Sequence, residues 1–362
     1  MHDVEEILNR ELHEVADGLR VPPLPTLSED TRRRPWLPVL AAAAALLVVL
    51  GVVAVVAINR GGTAPEPAPS PTETASTAPP VPVSTDPPTV PYTLDGRLYV
   101  DGEQVPGTWW YLSVGGPTWL AMNADDQTWY WGRGPELNEV TDMWVDLAPV
   151  LSPDGRFVAV VRDYGLASLD DTSDGGEVGS LPVQLGEPEL RIRAVTDDGW
   201  VIVQGARTAT LWQPLADGRT VDLAVTAPGQ IVRASTAAGL WVSNAEEGPA
   251  YLADISEDGR LTTVVDLPDL DSLAVSPGGE WMAWTPLGSL GGEVTELGSL
   301  EAGTVDGGRS TTFTPPDGWG FKVQDWIWED DDSLVSTVVK GRAERMVRCS
   351  VLTETCVLLD AP

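Results

Sequence analysis

The side chains best suited to chemistry are scarce in this sequence, and their positions narrow what it can do. Its two histidines are His2 and His13. Beyond them no imidazole can act as a general base, which excludes Ser-His-Asp catalysis and histidine metal sites from nearly all of the chain. Its two cysteines, Cys349 and Cys356, are too few for a Cys-rich zinc or iron–sulfur site. They lie in RMVRCSVLTETCVLL, symmetric about Leu352–Thr353. Two strands joined by a two-residue turn would set them opposite each other across the ladder. That predicts a disulfide in an oxidising compartment, with two buried reduced thiols as the alternative.

Carboxylates are abundant instead. Asp and Glu number 54 against 22 Lys and Arg, a formal charge of -32. Nucleic acid is excluded as a partner, because phosphate affinity comes from Lys and Arg. Two carboxylates can cleave a glycosidic bond, and Asp125, Asp126, Asp142, Asp146, Asp197, Asp198 and Asp325 are candidates. Nothing in their spacing selects a pair, and no cluster of arginines suited to clamp a sugar carboxylate stands out. Glu329 to Asp332 could offer oxygens to calcium, but the alternating ligands and central glycine of a calcium loop are missing. It reads as a solvated turn, as does Asp170 to Gly175. No catalytic residue, cofactor site or metal site is therefore assigned.

Aromatic residues are the other feature that could bind a ligand. Residues 92–362 hold 14 of the 15 Trp, dense at Trp109-Trp110-Tyr111, Trp129-Tyr130-Trp131, Trp319 and Trp326-Ile327-Trp328. Exposed, they would suit a sugar or a peptide. In a strand, Trp129 and Trp131 share one face and Trp326 and Trp328 another, which fits core packing.

The elements that must position these residues are short and alternating. RLYVDG (97–102), RFVAVV (156–161), WVIVQG (200–205), LWVSN (240–244) and EWMAW (280–284) are bounded by Gly, Pro and Asp, which argues an all-β body. A quartet precedes each of several strands: Ser152-Pro153-Asp154-Gly155, Thr196 to Gly199, Thr236 to Gly239, and Ser276-Pro277-Gly278-Gly279. Their last residues are 44, 40 and 40 apart, and Ser113 to Gly116 and Glu329 to Asp332 extend the series. A period near forty with four short strands per unit predicts a roughly six-bladed β-propeller over residues 92–362.

These quartets resemble the repeats of TolB-type, WD40-like β-propellers, most closely at 152–161 and 276–284. The resemblance implies that Ser152, Pro153, Asp154 and Gly155, and likewise Ser276, Pro277 and Gly279, shape tight corners between strands. It also suggests that residues 94–100 complete the last blade, with the Cys349/Cys356 hairpin firming the seam.

The N-terminal quarter is of another kind. Residues 36–58 run for 23 residues without a charge, enough as a helix to cross a bilayer of about 30 Å. Arg32, Arg33 and Arg34 precede it and only Arg60 follows, which places the N-terminus in the cytoplasm and the body outside the cell membrane. A cleaved signal peptide is the alternative. Residues 59–91 are rich in Pro and Thr and read as an extended, disordered stalk. Within the cytoplasmic segment 1–35, Val4, Ile7, Leu8, Leu12, Val15 and Leu19 fall at helical spacing, a stripe that could dock on a regulator through residues 3–19.

The layout resembles actinobacterial single-pass membrane proteins with an external propeller. The reading is a non-catalytic, membrane-anchored binding or scaffold module that meets an envelope protein or glycan. An anti-sigma-like transmembrane regulator and a carboxylate-dependent glycan enzyme are the alternatives.

Overall fold

The computed structural model describes residues 83–144, 147–184, 190–206, 208–224, 229–244, 250–286 and 296–360. The helix expected at 3–19, the three arginines 32–34 and the apolar run 36–58 lie outside the described residues.

Every regular element among the described residues is a β-strand, and the strands form seven sheets. Sheet 1 has three strands: Tyr92–Leu94, Arg97–Val100 and Glu103–Val105. Sheet 2 comprises Trp109–Gly115, Thr118–Asn123, Trp129–Arg133 and Asn138–Glu139. Sheet 3 comprises Val150–Leu151, Phe157–Val161, Leu166–Asp171 and Gly176–Pro182. Sheet 4 comprises Arg191–Val195, Val201–Gln204, Ala209–Gln213 and Arg219–Asp222. Sheet 5 comprises Gln230–Thr236, Gly239–Asn244, Ala250–Ile255 and Leu261–Leu267. Sheet 6 comprises Leu270–Val275, Trp281–Pro286, Leu300–Thr304 and Ser310–Phe313. Sheet 7 comprises Gly320–Trp328, Ser333–Lys340, Ala343–Ser350 and Thr355–Leu359. Val83–Ser84 and Glu296–Leu297 are added at its two sides.

Strand alternation explains why these sheets stack. In Phe157–Val161 all five side chains are buried. Phe157, Ala159 and Val161 enter the cluster shared with Ile192, Val201 and Trp212 of sheet 4. Val158 and Val160 point the other way and pack with Leu120 and Trp131 of sheet 2. A sheet apolar on both faces needs a neighbour on each side, and burying one such Val or Phe contributes about 1.5–3 kcal/mol.

The same rule runs round the molecule. Ala194 and Ile202 meet Val232 and Leu240 between sheets 4 and 5. Leu252 meets Met282 between sheets 5 and 6, and Ala283 and Phe313 meet Phe321 and Trp326 between sheets 6 and 7. Leu98 and Val100 of sheet 1 pack on Trp109 and Trp119 of sheet 2. Tyr92, Leu94 and Tyr99 of sheet 1 then pack on Val335, Met346 and Leu359 of sheet 7, which closes the ring. A closed ring of radially stacked antiparallel sheets is a β-propeller.

Two features differ from what the sequence suggests. The six quartets mark sheets 2 to 7, and sheet 1 carries none. Its strands are joined instead by Asp95-Gly96 and Asp101-Gly102, whose φ values of 51°, 72°, 51° and 77° suit two-residue hairpins. Residues 94–100 thus belong to sheet 1 and do not complete sheet 7, whose four strands come from 320–359. What is added there is Val83–Ser84, parallel to Thr355–Leu359, with Val83 opposite Leu358 and Ser84 opposite Leu359. Residues 83–91, grouped with the stalk by their composition, therefore lie on the body.

Candidate functional site

The quartets are corners between the first and second strands of their sheets. Ser152 Oγ donates to Asp154 Oδ1 at 2.6 Å and accepts from Phe157 N at 3.0 Å, while Arg156 N also donates to Asp154 Oδ1 at 2.9 Å. One serine and one aspartate so satisfy the backbone of a turn that would otherwise leave it unpaired. Gly155 has φ +72°, and a Cβ there would stand 1.8 Å from Gly115 O of the neighbouring quartet, so no other residue fits. Ser276 repeats the device, accepting from Trp281 N at 3.1 Å.

Neighbouring quartets are also clasped together. Asp154 N donates to Asp197 Oδ1 at 2.8 Å, and Gly278 N donates to Asp331 Oδ1 at 2.6 Å. In both, the third residue of one quartet donates to a carboxylate of the next. Partial loss of water around the carboxyl pushes Asp197, although an exposed residue, above its ordinary value, and the charge of Asp154 beside it adds to the rise, while the hydrogen bond from Asp154 N works against it.

In the last quartet Glu329 has a further role. Its carboxylate is clamped by Arg348, whose Nε donates to Oε2 and whose Nη2 donates to Oε1 at 2.9 Å. Arg348 Nη2 also donates to Pro87 O at 2.9 Å, and Thr89 N donates to Glu329 Oε1 at 2.7 Å. The pair straps residues 83–90 onto sheet 7. This role was missed in the sequence, where Glu329 reads as part of a solvated turn.

The first strands of sheets 2 to 7 face the middle of the ring, where two cavities share Ser113, Ala234 and Ser235 in their walls. The larger, about 570 Å³, opens where the quartets gather. Asp154, Asp197 and Glu329 supply its charge, and Leu273, Trp326 and Trp328 supply apolar wall. Its carboxylates are engaged in holding backbone, as described above. The second cavity, about 430 Å³, lies toward the starts of the same strands and is lined by Arg191, Arg193 and Arg233. The sequence shows no arginine cluster because these residues come from two sheets. The forty-residue step from Arg193 to Arg233 is the signal that could have revealed it.

The aromatic residues divide. Trp109, Trp119, Trp131, Trp212, Trp281, Trp326 and Trp328 are buried between sheets. Trp129 packs beside Trp131 while Tyr130 faces the opposite cluster, and Ile327 likewise faces away from Trp326 and Trp328. Trp110 and Tyr111 are exposed, with Tyr111 stacked on Trp129 at 6.2 Å between ring centroids. Cys349 and Cys356 are register partners in the last hairpin and form a disulfide. The turn between their strands is four residues, 351–354, where the sequence suggested two. Asp170 pairs with Arg162 at 2.7 Å and Asp171 with Arg156 at 3.2 Å, so both hold the hairpin of sheet 3. Among the described residues no three His, Cys, Asp or Glu side chains are grouped to hold a metal ion.

No protein-family model matches this sequence, and no curated protein is similar to it. Among solved structures the chain is similar to TolB from Acinetobacter baumannii, with 13% identity, a TM-score of 0.41, and coverage of 69% of this chain and 63% of that one. It is similar also to an oligogalacturonate lyase in complex with manganese, with 11% identity, a TM-score of 0.42, and coverage of 67% and 83%. A third is Hsv2p of Kluyveromyces lactis, with 11% identity, a TM-score of 0.40, and coverage of 67% and 74%. The likeness is one of general architecture, and the fold itself rests on the closed ring of sheets.

Proposed function

We propose that this chain is a membrane-anchored, extracytoplasmic, non-catalytic binding module of the cell envelope, with six quartet-bearing blades and a small seventh sheet. The apolar run 36–58 and Arg32 to Arg34 support the anchor and its direction. One observation carries the binding role: a cavity of about 570 Å³ opens among the quartets, and its carboxylates hold backbone. A concave site whose polar groups are fixed and whose walls are partly apolar suits recognition of a segment of an envelope protein or of a glycan.

A second reading, the transmembrane regulator, is favoured by the strap. Val90 lines the cavity, and Thr89 beside it is held by Glu329. The chain that leads to the membrane therefore touches the wall that a ligand would touch. Residues 3–19 would carry such a signal to a cytoplasmic partner.

Photo-crosslinking in cells tests both. A crosslinker replaces Ala237, in the cavity wall, or Val264, on an outer strand. It is placed in the full chain and in a chain lacking residues 1–30. Capture of an envelope protein or glycan from position 237 and not from 264 is expected. Equal capture from both, or none, sinks the binding reading. A cytoplasmic protein captured by the full chain alone would replace it with the regulator.

A further inference from the structure

We infer that the second cavity, lined by Arg191, Arg193 and Arg233, is a binding site for a multiply charged oxyanion, a polycarboxylate or a phosphate. The inference is independent of the role given to the quartet face.

Composition makes this grouping conspicuous. Residues 92–362 hold 43 acids against 16 bases. Three of those bases line one cavity of about 430 Å³, and no acid lines it among the described residues. Over the rest of such a body the field opposes the approach of an anion. Arg191 and Arg233, both exposed, bring guanidinium groups from two sheets to one concave wall, and guanidinium is the cation whose planar donors match carboxylate and phosphate.

The backbone presents Arg193 and Arg233 in the same way. Within Arg191–Val195 the pairing with Val201–Gln204 skips Arg193, passing from Ile192 to Ala194. Within Gln230–Thr236 the pairing with Gly239–Asn244 skips Arg233, passing from Val232 to Ala234. Each arginine is the extra residue of a β-bulge, a device that re-aims a side chain out of the strict alternation of a strand. The two occupy the same place in successive repeats, six residues before Gly199 and Gly239. The bulge itself belongs to the fold, since the same pair of strands also shifts register in sheets 2 and 6, where Tyr111 and Leu112, and Asp271, are skipped; what sets sheets 4 and 5 apart is the cation each carries there.

The remaining wall can take part. Arg233 Nε donates to Ser243 Oγ at 2.7 Å, which holds that guanidinium at the cavity. Ser113 and Ser235 bring hydroxyls to the wall. A ligand with two or more oxyanion groups can meet both sheets at once, which a single carboxylate cannot do. The predicted order is therefore citrate or inorganic phosphate above acetate, and no binding of a neutral polyol.

Isothermal titration of the full chain in detergent tests this, with citrate, inorganic phosphate, acetate and erythritol as titrants. Saturable binding of citrate, phosphate or both is expected, weakening as sodium chloride is raised. Arg191 and Arg233 are exposed, so the pair Arg191→Gln/Arg233→Gln should fold and should bind about tenfold or more weakly. Arg191→Lys/Arg233→Lys should keep part of the affinity, and Asp197→Asn, at the quartet face, should keep all of it. Preference for phosphate would point to a phosphoryl ligand, and preference for citrate to a polycarboxylate. Absence of binding by both polyanions overturns the inference, as does equal affinity in the glutamine pair, or erythritol binding as well as citrate.

Discussion

Asp197 shows how a single carboxylate can hold the structure and also strain it. It accepts the Asp154 N–H at 2.8 Å and so joins two quartets, yet partial loss of water around it and the neighbouring acid raise its pKa above the ordinary 3.8. A carboxyl whose pKa is raised on folding binds its proton more tightly in the folded state. Stability therefore falls as the pH climbs above 3.8 through that window, and at neutral pH the ionised group weakens the fold. Asp197→Asn keeps an oxygen for the Asp154 N–H and removes the charge. Its melting temperature at pH 7 should exceed that of the wild type, and the gap should narrow as the pH is lowered toward 4; a gap that is constant across that range, or of opposite sign, would count against this account. The turn role of Asp154 could be read in the sequence, because Ser152, Asp154 and Gly155 act within a few residues of one another. The clasp could not, since its two ends are 43 residues apart and meet only once the sheets stack.

At the scale of elements, the last hairpin and the strap beside it have different origins. The Cys pair was legible because strand alternation fixes which residues oppose each other, and the symmetric centre survives the longer turn. Cys349 is fully buried in the cluster of sheets 6 and 7, so its bond ties core to rim. Its loop is short, with a separation of 7 residues. Chain entropy then sets a ceiling of about 2.5 kcal/mol. Cys349→Ala/Cys356→Ala should lower the unfolding free energy obtained from urea titration by no more than that amount plus the loss of packing, seen as a lower midpoint at a nearly unchanged slope. The strap was not legible. Its Pro and Thr content predicts an extended chain with little apolar surface, which is correct locally. What seats it is supplied from elsewhere, by Arg348, by Glu329, whose side chain is 3% exposed, and by the open edge of Thr355–Leu359. Arg348→Ala removes the donors to Asp86 O and Pro87 O and leaves a nearly buried carboxylate without its cation. Limited proteolysis of the full chain should then cut within 83–91 faster than in the wild type, while the body stays intact. An unchanged cleavage pattern by mass spectrometry would mean that the parallel strand alone holds the strap.

At the scale of the molecule, the ring depends on its least conspicuous member. Sheets 2 to 7 announce themselves through quartets spaced near forty residues, so the architecture could be read from the sequence. Sheet 1 has three strands within residues 92–105 and no quartet, and its two Asp-Gly hairpins resemble those found in any β protein. It nevertheless supplies both seams that close the circle. Toward sheet 7, Tyr99 is 6% exposed and stacks on Tyr92 at 5.0 Å, against Val335, Met346 and Leu359. Because each sheet is buried only by its neighbours, a gap at this seam removes cover from sheet 7 and, through it, from the rest. Tyr99→Ala should cost about 3 kcal/mol or more, the usual scale for deleting a buried aromatic ring. The position of tryptophan makes the outcome readable, since sheet 1 contains none and every Trp of the body lies in or beside sheets 2 to 7. If the ring unfolds as one unit, the midpoints from Trp fluorescence and from far-ultraviolet circular dichroism should fall together. If sheet 1 merely leans on a body that is stable without it, circular dichroism should show a small early transition, Trp109 and Trp119 should give a small early change in emission, and the main Trp midpoint should stay where it is in the wild type.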